Sequence, residues 1–129
     1  MAEIVGLDHV QLAIPAGGED AARAFYGGLL GLTEVPKPAA LAGRGGCWFA
    51  GPGVAIHLGV EEPFVPASKA HAALLVDGLD GLRAALEAAG VSVHRDPADI
   101  GVRRFHAFDP FDNRIELVDV RDGGFTTRG

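Results

Sequence analysis

The sequence predicts an α+β fold built from two tandem βαβββ units. Both halves of the chain show the order strand, helix, strand, strand, strand in their apolar patterning. The glycines predicted to end the two helices, Gly31 and Gly90, lie 59 residues apart, and the turns at Gly51-Pro52 and Asp109-Pro110 recur at nearly the same spacing. One supersecondary unit is therefore used twice, too few times for a solenoid. The predicted bounds are residues 4–60 for the first unit, 69–120 for the second and 1–129 for a single domain.

The first unit opens with strict alternation over Leu7–Ile14, the period of a half-buried strand. Residues 19–30 then carry apolar side chains at i, i+3, i+4 and i+7, which predicts an amphipathic helix ending at Gly31. Turn signals separate three further predicted strands. These are Leu32–Val35, Cys47–Ala50 and Val54–Val60.

The second unit repeats this order. A strand is predicted over Ala70–Val76 and a helix over Leu79–Ala89, with its apolar residues on one face. The segment Asp109-Pro110-Phe111-Asp112-Asn113 predicts a turn between the last two strands. The three remaining predicted strands are Val91–His94, Val102–Phe108 and Asn113–Val120.

Composition excludes several classes of function. The chain has 129 residues, 48% hydrophobic and 22% charged, which is typical of a globular domain. A net charge of −6 without a basic cluster argues against nucleic acid, and no apolar run reaches the roughly 20 residues of a membrane span. The first residues lack the features of a secretory signal, and a single cysteine, Cys47, allows no internal disulfide, so a cytoplasmic location is expected. Cys47 is expected to be a small apolar filler, with a catalytic thiol as the alternative.

Four polar residues within otherwise apolar strands occupy repeat-related positions. His9 and His71 lie at the first strand of each unit, and His57 and Glu116 lie 59 residues apart in the last strands. Strand parity places all four on the face opposite the helices, which would line a cup if the sheets curl together. Three imidazoles and a carboxylate suit a divalent Zn, Ni, Co, Mn or Fe ion.

Single histidines on strands are commonly surface or core residues, so the prediction depends on the repeat. His57 has a second interpretation, as an acid/base group or a partner of the ligands. His94 and His106 have no repeat partner of ligand type and are expected not to bind the metal.

Three motifs resemble the glyoxalase/bleomycin resistance/extradiol dioxygenase superfamily, whose members are also called vicinal-oxygen-chelate proteins. They are Leu7-Asp8-His9-Val10, Phe25-Tyr26 followed by Leu30-Gly31-Leu32, and Asp109-Pro110-Phe111-Asp112-Asn113-Arg114-Ile115-Glu116-Leu117. The last is close to a DPxGNxxEL ending, with Asp112 where glycine is usual.

The resemblance covers residues 4–120 and implies a curled mixed sheet around a metal-binding cup. It also implies that His9, His71 and Glu116 hold the metal and that the protein is a homodimer. Glyoxalase I-like members have a glutamate at the position of His57, so the sequence departs from that activity.

Substrate contacts are predicted on the same face. Lys37, Arg103 and Arg104 are candidates for binding an anionic small molecule, because guanidinium groups pair bidentately with carboxylate or phosphate. Trp48 is predicted to form an aromatic wall. Gln11 shares the parity of His9 and would contact substrate or an imidazole.

The predicted function is Lewis-acid catalysis of the isomerase, epimerase or lyase type. A divalent cation would chelate two vicinal oxygens of a small substrate, while Glu116 or His57 exchanges a proton. If His57 is not a ligand, the remaining two-histidine, one-carboxylate set is that of Fe(II) dioxygenases. The resemblance is also compatible with a non-enzymatic drug-binding resistance protein and with a thiol transferase.

Overall fold

The computed structural model describes residues 1–126, so residues 127–129 of the predicted domain lie outside the described residues. The chain divides into two compact units that meet in sequence at Phe64 and Val65, within the loop predicted between the repeats. The single-domain assignment stays a prediction. Within residues 1–126, every helix is too short or too polar to cross a lipid bilayer.

The first unit contains four strands, a short α-helix that continues as a π-helix, and a 3₁₀ helix. They are β1 (Val10–Ile14), α1 (Glu19–Ala22), the π-helix Arg23–Leu29, β2 (Thr33–Val35), the 3₁₀ helix Ala39–Arg44, β3 (Cys47–Gly51) and β4 (Val54–Val60). The second unit contains β5 (Ala72–Val76), α2 (Leu79–Ala88), β6 (Val93–His94), β7 (Arg104–Phe108), β8 (Arg114–Asp119) and the 3₁₀ helix Val120–Asp122.

Each unit forms one mixed, open four-stranded sheet. The strand order is β1-β4-β3-β2 in the first unit and β5-β8-β7-β6 in the second. In both, the first and last strands of the unit are parallel neighbours, and the other pairs are antiparallel. The tandem βαβββ fold class is therefore confirmed, as two sheets that are not closed.

The predicted first helix differs from expectation in its hydrogen bonding. Only Glu19–Ala22 is α-helical, and Arg23–Leu29 winds as a π-helix, closed by a bond from Leu30 N to Phe25 O at 2.9 Å. Gly27 and Gly28 lie in this segment, and glycine has a low propensity for the α-helix interior. The wider turn still buries Phe25 and Tyr26, so the apolar face predicted from the sequence is kept.

Both units begin their first strand later than predicted. His9 immediately precedes β1 and His71 immediately precedes β5, so the two histidines occupy equivalent positions at the entrance of equivalent strands. The side chains of His9 and His71 keep the alternation of the strand only if the extended backbone continues for one residue before β1 and β5. The repeat relation used to find them therefore survives the shift in the strand boundaries.

Aromatic packing fixes the helix-facing side of each sheet. In the first unit the Tyr26 and Phe49 rings lie 5.9 Å apart between their centroids, and both side chains are buried. In the second unit Arg83 of α2 lies 6.0 Å from the Phe105 ring. Since neighbouring residues alternate across a strand, Trp48 and His106 project from the opposite faces. We call these opposite faces, which carry Trp48 and His57 in one unit and His106 and Glu116 in the other, the ligand faces.

The turn before β8 presents Glu116. Asp109 Oδ1 accepts hydrogen bonds from the backbone N–H groups of Phe111 and Asn113, both at 2.9 Å. Asp112 adopts φ 68°, the left-handed conformation in which glycine is least strained, which accounts for glycine being usual in this motif. Asp is among the side chains that tolerate it best.

Charged side chains hold the loop that enters β3. Glu19 Oε2 accepts a hydrogen bond from Gly46 N at 2.8 Å, and Lys37 Nζ donates to the carbonyl oxygen of Gly45. Gly46 has φ 81°, and a Cβ atom there would fall against the carbonyl oxygen of Leu58. The loop can therefore approach β4 this closely only with glycine at position 46.

We expect Gly46→Ala to lower the free energy of unfolding by more than Gly53→Ala does. Gly53 also has a positive φ, of 72°, but a Cβ there meets nothing within 4 Å. The control variant should therefore show only the conformational cost of about 1–2 kcal/mol. Urea denaturation of both variants measures the difference, and equal losses would contradict the close approach of Gly46 to β4.

Candidate metal centre

Three aromatic rings stack on the ligand face of the first unit. The His57 ring lies between Trp48, at 3.8 Å between centroids and an interplanar angle of 2°, and His9, at 4.0 Å and 19°. Asp8 Oδ1 lies 2.7 Å from His9 Nδ1 and fixes that ring from its edge. Trp48 and His57 are cross-strand partners on β3 and β4, so the register of the sheet produces this stack.

The stack favours a neutral His57. Burial lowers the pKa of the His57 imidazole, and the neighbouring His9 lowers it further. Neutral imidazole is the form that binds metals and accepts protons. The first unit therefore presents His57 in the state required by both of its predicted roles.

The second unit brings His71 and Glu116 together. His71 Nε2 lies 2.9 Å from Glu116 Oε1, and His71 Nδ1 lies 2.9 Å from the carbonyl oxygen of Lys69. A carbonyl can only accept, so Nδ1 carries a proton. The contact of Nε2 with the carboxyl group then requires a proton, on either group, or a cation between the two atoms.

The spacing of this pair fits a metal ion. Neighbouring ligands of an octahedral ion with bonds of about 2.1 Å lie about 3 Å apart, close to the observed 2.9 Å. The contact of Nδ1–H with a backbone carbonyl is the usual support of a metal-binding histidine. Glu116 is buried, so its negative charge requires compensation inside the protein.

His106 joins this pair. The ligand atoms of His71, His106 and Glu116 all lie within 4.8 Å of one another, and His106 Nε2 is 3.6 Å from Glu116 Oε1. His106 escapes a search for repeated ligands because its counterpart in the first unit is Trp48, which pairs with His57 as His106 pairs with Glu116. Its cross-strand position opposite Glu116 is the signal that would have found it.

Two arginines surround the cluster formed by His71, His106 and Glu116. Arg104 Nη1 lies 3.4 Å from Glu116 Oε2, and Arg104 Nη2 lies 3.4 Å from Asp96 Oδ2. Arg114 Nη2 donates to His106 Nε2 at 3.1 Å. Burial and the Arg114 charge both lower the pKa of His106, which is therefore neutral near pH 7.

The other predicted contacts take different positions. Arg104 touches the cluster, but Arg103 immediately precedes β7 and pairs with Asp119 at 3.6 Å and Asp122 at 3.7 Å. Lys37 holds the Gly45 loop described above. These contacts give Arg103 and Lys37 structural roles, and their substrate contacts stay predictions.

Gln11 and Cys47 lie within the first sheet. Gln11 is the β1 partner of His57, and its amide covers Gly59 on the same face. Cys47 is buried, and burial raises the pKa of its thiol, which disfavours the reactive thiolate. These positions agree with a ligand-face Gln11 and an apolar role for Cys47.

Comparison with known proteins identifies similar chains. A model of the Glyoxalase/Bleomycin resistance protein/Dioxygenase superfamily matches residues 6–117. A glyoxalase family protein from Bacillus anthracis shares 47% identity over 92% of this chain and 98% of that chain, with a TM-score of 0.87. A search of curated proteins gives no match.

Two further solved structures share the fold at low identity. The fosfomycin resistance protein FosX from Listeria monocytogenes, in complex with Mn(II) and sulfate, has 19% identity over 91% of each chain and a TM-score of 0.73. An integron cassette protein from V. cholerae has 23% identity over 92% of this chain and 98% of that chain, with a TM-score of 0.69. At these identities the likeness concerns the fold alone.

The ion pairs around Asp119 predict a pH dependence of stability. Hydrogen bonds from the Arg121 guanidinium and backbone hold the pKa of Asp119 below its usual 3.8. The stabilisation is therefore complete above that value and is lost as the pH falls through the lowered pKa. We expect Asp119→Asn to lower the unfolding free energy at pH 7 and to weaken its decline on acidification.

Denaturant unfolding at a series of pH values between 7 and the acid range measures both effects, with the exposed Asp77→Asn as the control. An Asp119→Asn variant as stable as the wild type at pH 7 would contradict the structural role of this cluster.

Proposed function

The chain belongs to the glyoxalase/bleomycin resistance protein/dioxygenase superfamily, and from that premise we propose that it is a metal-dependent enzyme of the isomerase, epimerase or lyase type. Its substrate would be a small molecule with two neighbouring oxygens. A divalent cation bound at the cluster would supply Lewis acidity. It would polarise the substrate oxygens and stabilise negative charge as it develops.

The observation that carries this proposal is the contact of His71 Nε2 with Glu116 Oε1 at 2.9 Å, with His106 beside them. A buried carboxylate and the His71 imidazole are donors that suit borderline divalent ions. In His71 the Lys69 carbonyl fixes the proton on Nδ1, which leaves Nε2 as the atom that would bind a cation. Arg104 restrains the second oxygen of Glu116.

His9 and His57 are also proposed ligands, His9 from the repeat and the family resemblance and His57 from the repeat alone. Support comes from the ring stack, which keeps His57 neutral and holds His9 against it. A neutral imidazole that leaves the metal would accept a substrate proton. His57 and Glu116 are therefore the proposed proton carriers.

A second candidate function is an Fe(II) dioxygenase. It is favoured by one observation, that His71, His106 and Glu116 alone form a two-histidine, one-carboxylate set within the second unit. This set leaves three positions of an octahedral iron for substrate and dioxygen. The two candidates differ in whether His9 and His57, or His106, are ligands beside His71 and Glu116.

The resemblance also supports a homodimer, and the single cysteine supports a cytoplasmic location; both belong to the proposal. Sedimentation equilibrium of the purified chain measures the first point. A monomer at micromolar concentration would contradict it.

Metal analysis of the untagged protein tests the proposed centre. We expect near-stoichiometric divalent metal in the wild type and a loss of affinity of about tenfold or more in His71→Ala and Glu116→Ala, because each removes a ligand. The matched control is His94→Ala, since His94 is exposed and its ring contacts Phe108. Mass spectrometry of bound metals and titration calorimetry with Mn²⁺ and Zn²⁺ give the values.

The same series separates the two candidates. Ni, Co, Zn or Mn whose affinity falls in His57→Ala but not in His106→Ala supports the isomerase or lyase. Iron whose affinity falls in His106→Ala and is unchanged in His57→Ala supports the dioxygenase. A wild-type protein that binds no divalent metal on reconstitution would overturn both and leave a ligand-binding protein.

A further inference from the structure

Arg114 is a half-buried arginine at the edge of the cluster formed by His71, His106 and Glu116. It lies two residues before Glu116 on β8, and residues at this spacing project from the same face of a strand. Its contact among the described residues is with His106, whose Nε2 accepts from Nη2 at 3.1 Å. The His106 imidazole therefore links Arg114 to Glu116, because His106 Nε2 is also 3.6 Å from Glu116 Oε1.

The partner of Arg114 differs in charge from those of the neighbouring arginines. Arg104 lies between two carboxylates, and Arg103 pairs with two others. Arg114 instead donates to His106 Nε2, an uncharged acceptor. Within residues 1–126 no carboxylate forms a direct ion pair with Arg114.

The hydrogen bond to His106 also orients the guanidinium. Arginine has five N–H donors in a planar fork, and this bond uses one of them. The remaining donors suit the two oxygens of a carboxylate or phosphonate, which guanidinium binds bidentately. A partly desolvated guanidinium without a direct carboxylate partner is suited to bind such an anion.

We propose that Arg114 binds the anionic group of the substrate and that His106 is its positioning residue. The substrate class is then a small oxyanion, carrying a carboxylate or phosphonate close to the oxygens that bind the metal. This inference rests on the proposed function in assigning the anion to the substrate of that site. The binding of an oxyanion to Arg114 is nevertheless measurable without metal.

The test uses inorganic phosphate and acetate as probes of the full chain after metal removal with EDTA. Titrations are followed by ³¹P line width for phosphate and by the guanidinium ¹⁵N signals for both anions. We expect Arg114→Gln to weaken phosphate binding by about tenfold or more, because it removes charge-assisted hydrogen bonds. Arg83→Gln is the matched control, with the same change of charge on the helix-facing side of the second sheet.

Two variants of His106 test its positioning role. His106→Gln keeps an acceptor for the guanidinium and should retain phosphate binding, whereas His106→Leu should weaken it. Comparable weakening in both variants would contradict positioning by this hydrogen bond.

The inference would be overturned if the wild type, Arg114→Gln and Arg83→Gln bound phosphate with equal affinity. It would also be overturned if none of the three bound phosphate. Titration of Mn²⁺ into the same variants keeps its failure distinct from failure of the proposed function. Mn²⁺ bound equally by wild type and Arg114→Gln, with phosphate binding lost only in the latter, is the expected result. If Mn²⁺ binds but the phosphate affinity does not depend on Arg114, the anion contact is refuted and the proposed metal site is not.

Discussion

A buried carboxylate that faces an imidazole nitrogen requires a proton or a cation between the two atoms, and the ligand face of the second unit is arranged around that requirement. Glu116 lies on β8, paired with β5 on one side and β7 on the other. These neighbours bring His71 and His106 against its carboxylate. Arg104 contacts the carboxylate oxygen that does not contact His71. The Asp109 turn fixes the start of β8 and thereby the position of Glu116.

The two repeats have kept one framework and diverged in its chemistry. Cross-strand pairing places Trp48 beside His57 in the first unit and His106 beside Glu116 in the second. The first pair forms an aromatic stack with His9, whereas the second forms a cluster with two arginines. The duplicated sheet therefore supplies two faces of different polarity from equivalent positions.

Periodicity predicted the elements well where burial alone determines them. The bounds of β4 agree with those predicted, and α2 ends one residue early. The π-helix was not predicted, because the apolar spacing of residues 19–30 fits both helix types and the Gly27-Gly28 pair acts through backbone hydrogen bonding. His71 and Glu116 could be found from the repeat, but His106 required the register of β7 and β8, which no local pattern specifies.

We propose that His71 and Glu116 hold a divalent cation between them. Anomalous diffraction from crystals loaded with Mn²⁺ tests it most directly, because it locates the ion independently of activity. We expect a peak within about 2.3 Å of both His71 Nε2 and a Glu116 carboxylate oxygen. A well-ordered His71–Glu116 hydrogen bond without a peak between them, or an ion bound at other residues, would contradict it.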